Sequence, residues 1–232
     1  MSRRLTPLFL LLALGACSSS SDAESNERFG DIKANEVWKD GTKLTGLIRI
    51  FEGATVEIEP GARLTCSNNA EIQVGGVLRV KSSGKRATIT CPGWVGLVVA
   101  KNGQLDITGL DLENAEIGVE TTKGAGRVEL TEVDITSSPR PFLVREQSTL
   151  NLTRVKATTP TTLGDGQTSV SEVFGSLFAK YLEYQANTNE GIMLMKGGEA
   201  DIEDSTLKAN NGLDLVSSYG GKSLKIRYTT LR

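Results

Sequence analysis

Three eight-residue stretches decide how this chain folds: LDITGLDL at 105–112, VELTEVDI at 128–135 and LNLTRVKA at 150–157. Each places apolar side chains at its first, third, sixth and eighth positions: Leu105, Ile107, Leu110 and Leu112; Val128, Leu130, Val133 and Ile135; Leu150, Leu152, Val155 and Ala157. The same template fits Leu177, Ala179, Leu182 and Tyr184, then Ala200, Ile202, Ser205 and Leu207, then Leu224, Ile226, Thr229 and Leu231. Successive starts lie 23, 22, 27, 23 and 24 residues apart. Residues two apart share one face of a strand, so each template is a pair of short strands. A two-residue bend joins them: Thr108-Gly109, Thr131-Glu132, Thr153-Arg154. A third apolar pair follows in most units, at Ile117/Val119, Phe142/Val144, Ile192/Leu194 and Leu213/Leu215. No unit contains a convincing helical window.

Self-similarity at a fixed period marks a repeat architecture. At this spacing a strand does not pair with its sequence neighbour in a hairpin. It stacks on the equivalent strand of the next turn, about 4.8 Å away. The expected fold class is all-β, a right-handed single-stranded parallel β-helix solenoid with three short strands per turn of about 22–27 residues and an apolar interior. The rhythm extends backwards through Val56/Ile58, Leu64/Cys66, Ile72/Val74, Leu78/Val80, Ile89/Cys91 and Val95/Leu97/Val99. A β-sandwich is the alternative; it predicts regular hairpin turns and no repeating unit.

The stretch GATVEIEPGARLTC at 53–66, followed by EIQVGGVLRV at 71–80 and GWVGLVV at 93–99, resembles the opening turns of bacterial pectin-lyase-like parallel β-helix proteins. The resemblance covers residues 36–232. It is specific for fold and weak for function, because this architecture hosts lyases, hydrolases, adhesins and scaffolds.

The N-terminus reads as an address. Arg3 and Arg4 precede the apolar run Leu8 to Leu14, which is too short to span a bilayer as a mature helix. Leu14-Gly15-Ala16-Cys17 then resembles the lipobox of bacterial lipoproteins. That resemblance implies cleavage before Cys17, acylation of its sulfur, and, with Ser18 next, sorting to the outer membrane. An ordinary secretory signal with a chance cysteine is the alternative. The expected division is a signal peptide at 1–16, a lipidated Cys17 with a polar tether at 17–31, and a β-helix at 32–232. Cleavage would remove two basic residues and shift the formal charge from -2 to -4.

Outside the cytoplasm disulfides persist. Leu64-Thr65-Cys66 and Ile89-Thr90-Cys91 repeat one tripeptide pattern 25 residues apart, about one turn. Stacked turns place their Cα atoms about 4.8 Å apart, within disulfide range, so a Cys66–Cys91 bridge is expected; two reduced, buried thiols are the alternative. Asn114, Asn187 and Asn210 follow the second strand of their turns and read as structural bend residues. Gly75-Gly76 and Gly197-Gly198 read as tight bends between turns.

Composition excludes more than it selects. There are 26 basic and 28 acidic residues, a balance too even for a nucleic-acid partner. There is no histidine, which removes Ser-His-Asp triads, Cys-His pairs and His-ligated zinc, and disfavours polygalacturonase-like chemistry. On the outward rows Asp106 should sit over Glu129, and Asp111 over Asp134. Stacked like charges need an offset: solvent, a neighbouring Lys123, Arg127 or Arg154, or a cation. Calcium, which takes several carboxylate and carbonyl oxygens, is the cofactor such a cluster would hold. The resemblance implies calcium-dependent lyases, but the four acids match no motif of that family.

The 27-residue spacing marks an insertion at Thr158–Gly175, and four aromatics follow its end: Phe174, Phe178, Tyr181 and Tyr184. Phe178 should point outward, and Met193 beside it. Aromatic faces bind sugars and partner proteins. A loop folded over them as a satellite core is the alternative. The sequence stops at Leu231-Arg232 in mid-turn, and an uncapped solenoid exposes strand edges, so a longer native chain is expected; a partner covering the end, or a frayed last turn, is the alternative.

The functional expectation is a lipid-anchored cell-envelope protein whose rigid β-helix acts as a non-catalytic binding or scaffold module for an envelope polysaccharide or protein. The rivals are a lyase-like enzyme acting on acidic glycan with calcium, and a surface adhesin or delivery stalk.

Overall fold

The computed structural model describes residues 26–82, 84–163, 169–187, 190–209 and 215–232. Cys17, Asn210 and Leu213 lie outside them. The chain is an all-β, right-handed parallel solenoid of about 8 turns. All pairings between its named strands are parallel, as stacking of equivalent strands requires.

The strands form three longitudinal faces. Face A contains the first strand of each template: Val56 pairs with Leu78, Leu78 with Leu105, Leu105 with Val128, Leu150 with Leu177, and Leu177 with Ala200. Face B contains the second strand: Ile89 pairs with Leu112, Leu112 with Ile135, Ile135 with Ala157, and Ala157 with Tyr184. Face C contains the third: Ile72 pairs with Leu97, Leu97 with Val119, Val119 with Phe142, and Val144 with Val173. The 18-residue strand Gln104–Thr121 bends twice and contributes to all three faces. The strand period of two turns the template's apolar positions inward, and they form one continuous core from Ile32 to Leu207. The alternation seen in Arg63–Cys66, exposed then buried, is this period written in burial.

Two details sharpen the sequence reading. The first strand, Glu27–Ile32, begins inside the stretch expected to be tether, and pairs with Lys43–Ile50 as a full first rung. Its Arg28 and the Glu36 of the next strand stand in line with the inward Leu44 and Val56 of the turn below. Their ion pair, Arg28 Nε to Glu36 Oε2 at 3.0 Å, puts charge at this end of the described core. At the opposite end Val216–Ser218, Ser223–Arg227 and Thr230–Leu231 pair only with the preceding turn, among the described residues.

The bend between faces A and B has a fixed conformation. Gly109, Glu132, Arg154, Tyr181, Asp204 and Tyr228 occupy equivalent positions and all have φ between 49° and 75°. Five are not glycine, and the left-handed region is uncommon for them. The cost is offset because the bend amides extend the ladder between turns: Arg154 N donates to the Lys180 carbonyl, Tyr181 N to Glu203, and Asp204 N to Arg227. Asn114 also takes positive φ, as expected of a bend residue. Asn187 does not; its backbone and side-chain amides donate to Thr159 instead. Close approach, as well as bending, explains the paired glycines: a Cβ on Gly198 would stand 2.0 Å from the Val173 carbonyl oxygen.

Candidate functional site

Cys66 and Cys91 stack on consecutive turns of face B with Cα atoms 4.8 Å apart and are disulfide-bonded. The bond clamps two rungs near the Arg28–Glu36 end and adds nothing chemical to the outer faces.

The acidic rows stack in the expected register, Asp106 beside Glu129 and Asp111 beside Asp134. Arginines offset them. Arg79 Nε lies 3.3 Å from Asp106 Oδ2. Arg86 donates to Asp111 at 2.7 Å and reaches Asp134 at 3.2 Å, bridging the stacked pair. Arg127 pairs with Glu129. Arg154 goes elsewhere, to Glu132 on the bend column at 3.0 Å. Arg79 stands directly beside Asp106 on the preceding turn, in the same outward column between Leu78 and Val80, whereas Arg86 precedes its strand and reaches across from a flanking position; their signal was a basic residue 27 or 25 positions before an acid. Among the described residues no group of three or more His, Cys, Asp or Glu side chains forms a metal-binding cluster. The four acids are held by guanidinium groups.

The four aromatics do not form one patch. They fall on a segment that winds around the solenoid, and a few residues of arc send each a different way. Phe174 sits at the corner between faces C and A, half-buried, with the Arg145 guanidinium 5.9 Å from its ring centre. Tyr184, included in the expected binding group, is instead inside: it is 2% exposed. Its hydroxyl donates to the Gly191 carbonyl at 3.0 Å and lies 3.1 Å from Ser171 Oγ, which accepts from the Phe142 amide. Burial pushes its phenol well above the usual range. Position eight of the template is inward, and size alone does not reverse it. Tyr181 occupies the A–B bend and is 45% exposed, with Lys180 Nζ 5.2 Å from its ring centre.

Phe178 is the outward one, also 45% exposed, in the middle of Ser176–Lys180 on face A. Strand pairing puts Asn151 directly beside it on one turn and Asp201 on the other. Lys180 flanks the ring along its own strand, between Thr153 and Glu203. Arg227 reaches over the next turn to Asp201 at 3.0 Å and Glu203 at 3.5 Å. Lys180 Nζ approaches Asp204 at 3.4 Å. The Asn151 side chain has no hydrogen-bond partner among the described residues. Together these groups line a shallow depression of about 210 Å³. It offers one flat apolar ring surrounded by an amide, carboxylates and cations, with Met193 on another face, C, between the buried Ile192 and Leu194. No histidine or cysteine stands near it, and its carboxylates are engaged by Arg227 and Lys180. The arrangement suits holding a polar ligand and lacks a free acid–base pair.

Comparison with family models, with curated proteins and with solved structures finds no match to this chain. What fold and surface define is a class: a parallel β-solenoid with an apolar interior and ion-paired outer faces.

Proposed function

We propose that this is a lipid-anchored cell-envelope protein whose β-helix binds carbohydrate on face A without transforming it. The observation that carries the reading is Phe178, an exposed aromatic side chain on a polar sheet, with Asn151 and Asp201 beside it on the adjacent turns. Sugars present an apolar face of C–H groups and a rim of hydroxyls. A ring stacks on the first, while amide and carboxylate groups take the second. A sheet built from stacked turns holds these groups without an ordering cost on binding. The Cys17 lipobox supplies the anchor in this reading, and the polar residues from Ser18 to Asn26 supply a leash.

The test is calorimetric titration of the chain with envelope polysaccharide fragments, beside the Phe178→Ala variant. Saturable binding with at least a tenfold loss on substitution is expected. No binding to any fragment, or equal affinity in the variant, would overturn the proposal. The same mixtures incubated with calcium should show no shortened or unsaturated product; its appearance would overturn the non-catalytic half.

A further inference from the structure

Among the described residues, large apolar side chains are exposed toward the two ends of the stack and nowhere between Phe51 and Phe178. The first end carries Phe29, Val37 and Phe51. Phe29 is the most exposed of them, at 72%. It sits at the corner of faces B and C, where the register of Glu27–Ile32 on Lys43–Ile50 shifts between Arg28 and Gly30. Gly30 takes φ 75° there, and the irregularity leaves the ring outside the ladder. Val37 is outward on face A, beside Glu57 of the next turn. Phe51 stands at the corner of faces C and A, its amide donating to the Ile32 carbonyl and the Lys33 ammonium 5.3 Å from its ring centre.

The three therefore occupy three azimuths around one rim. A lateral patch would gather them on one face, whereas a plane meeting the solenoid end-on touches all three. The length of chain ahead of this rim says what the plane is. Cys17 precedes Asn26 by nine residues, which span at most about 32 Å when fully extended. An acylated Cys17 holds a bilayer within that reach of the first turn, at high effective concentration. Interfacial side chains sink about 5–10 Å into the headgroup and acyl boundary, enough for the first rung and the one beneath it, about 4.8 Å further on. Charges at this end are mixed and paired: Asp31 with Lys33 and Arg49, Asp40 with Arg63. Contact here is apolar and does not depend on anionic lipid.

We infer that this end of the solenoid docks on the surface of the lipid bilayer, with Phe29, Val37 and Phe51 in the interface and the stack standing upright. The inference rests on the lipid anchor of the proposed function and gives it an orientation. The Arg28–Glu36 pair, inside the rim, then faces headgroups, where charge is solvated. The consequence is a fixed height. Val37 and Phe178 belong to one outward column, six rungs apart. At about 4.8 Å per rung, an upright stack holds Phe178 about 29 Å beyond the bilayer-facing turn.

The experiment places an indole at each level. The acylated chain carrying Phe29→Trp or Phe178→Trp is reconstituted into phosphatidylcholine vesicles with brominated acyl chains, which quench indoles that enter the interface. The parent chain gives the background from the buried Trp38 and Trp94. The emission added by Phe29→Trp should fall at least twofold, and that added by Phe178→Trp should not change. Adding Val37→Ser/Phe51→Ser to Phe29→Trp should remove most of the quenching while the circular dichroism spectrum is kept. Absence of quenching in Phe29→Trp on a chain that floats with the vesicles would overturn the inference and leave the anchor standing. Stronger quenching of Phe178→Trp, or quenching indifferent to Val37→Ser/Phe51→Ser, would do the same. A Cys17 that carries no acyl group by mass spectrometry would overturn the anchor, and the orientation with it.

Discussion

At the scale of single residues, position within the turn outweighs chemical character. Tyr184 is the largest test of that rule in the face B column: its ring lies in the core, and its hydroxyl is satisfied there by Gly191 and Ser171. Tyr184→Phe keeps the packing and removes one of two donors to the Gly191 carbonyl, which keeps the Ser171 amide, together with a partner of Ser171 Oγ. It should cost about 1 kcal/mol in denaturant unfolding, without altering ligand binding. A change in glycan affinity would place the ring on the surface after all. Asp40 shows electrostatic control at the opposite extreme of exposure. The Arg63 side chain hydrogen-bonds its carboxylate, the Arg63 amide adds another bond, and its pKa falls to about 2. A carboxylate depressed in the folded state contributes stability above its unfolded pKa and loses it as pH falls toward about 2. The Asp40 carboxyl resonance should therefore titrate with a midpoint near 2, and Arg63→Gln should return it toward the ordinary aspartate range.

At the scale of elements, what the sequence revealed follows from periodicity. The stacking of Leu105 on Val128, the inward Ile192 and Leu194 around Met193, and the Cys66–Cys91 contact all follow from a two-residue strand period and a turn of near-constant length. Periodicity carries no information about reach. Arg86 bridges Asp111 and Asp134 from a flanking position, so an array that reads as like charges is a paired one. Nor does periodicity carry azimuth: Phe174, Phe178, Tyr181 and Tyr184 are near in sequence yet occupy a corner, a face, a bend and the core. The left-handed bends at Glu132, Arg154, Tyr181, Asp204 and Tyr228 were equally hidden, since such side chains do not advertise that conformation. The disulfide acts at this same scale, joining adjacent turns across 25 residues. Closing a loop of that length restricts the unfolded chain by about 3 kcal/mol on the chain-entropy account. The Cys66→Ser/Cys91→Ser variant should lose stability of that order in denaturant melts, with face A binding intact. A loss far below 1 kcal/mol would show that stacking alone sets the register of these two turns.

At the scale of the whole molecule, a solenoid is a one-dimensional stack in which each turn contacts only its neighbours. Its ends therefore matter out of proportion to their size, since an exposed inward row and an unpaired strand edge invite another chain. In the first described turn, Arg28 and Glu36 stand where the columns of Leu44 and Val56 would continue. Their ion pair is about 30% exposed on both sides, and Glu36 also accepts from the Trp38 indole at 3.3 Å. A surface ion pair of this kind adds little stability of its own, typically below about 1 kcal/mol. Its effect is on association: it presents charge where the repeat would otherwise present leucine. The Arg28→Leu/Glu36→Leu variant continues the apolar columns of Leu44 and Val56 to the end of the stack. Its monomer should keep the native circular dichroism spectrum while sedimentation velocity shows concentration-dependent self-association at micromolar protein. If the variant stays monomeric across that range, the charged pair is not what keeps this end of the solenoid from joining another chain, and protection rests on the backbone geometry of Glu27–Ile32 instead.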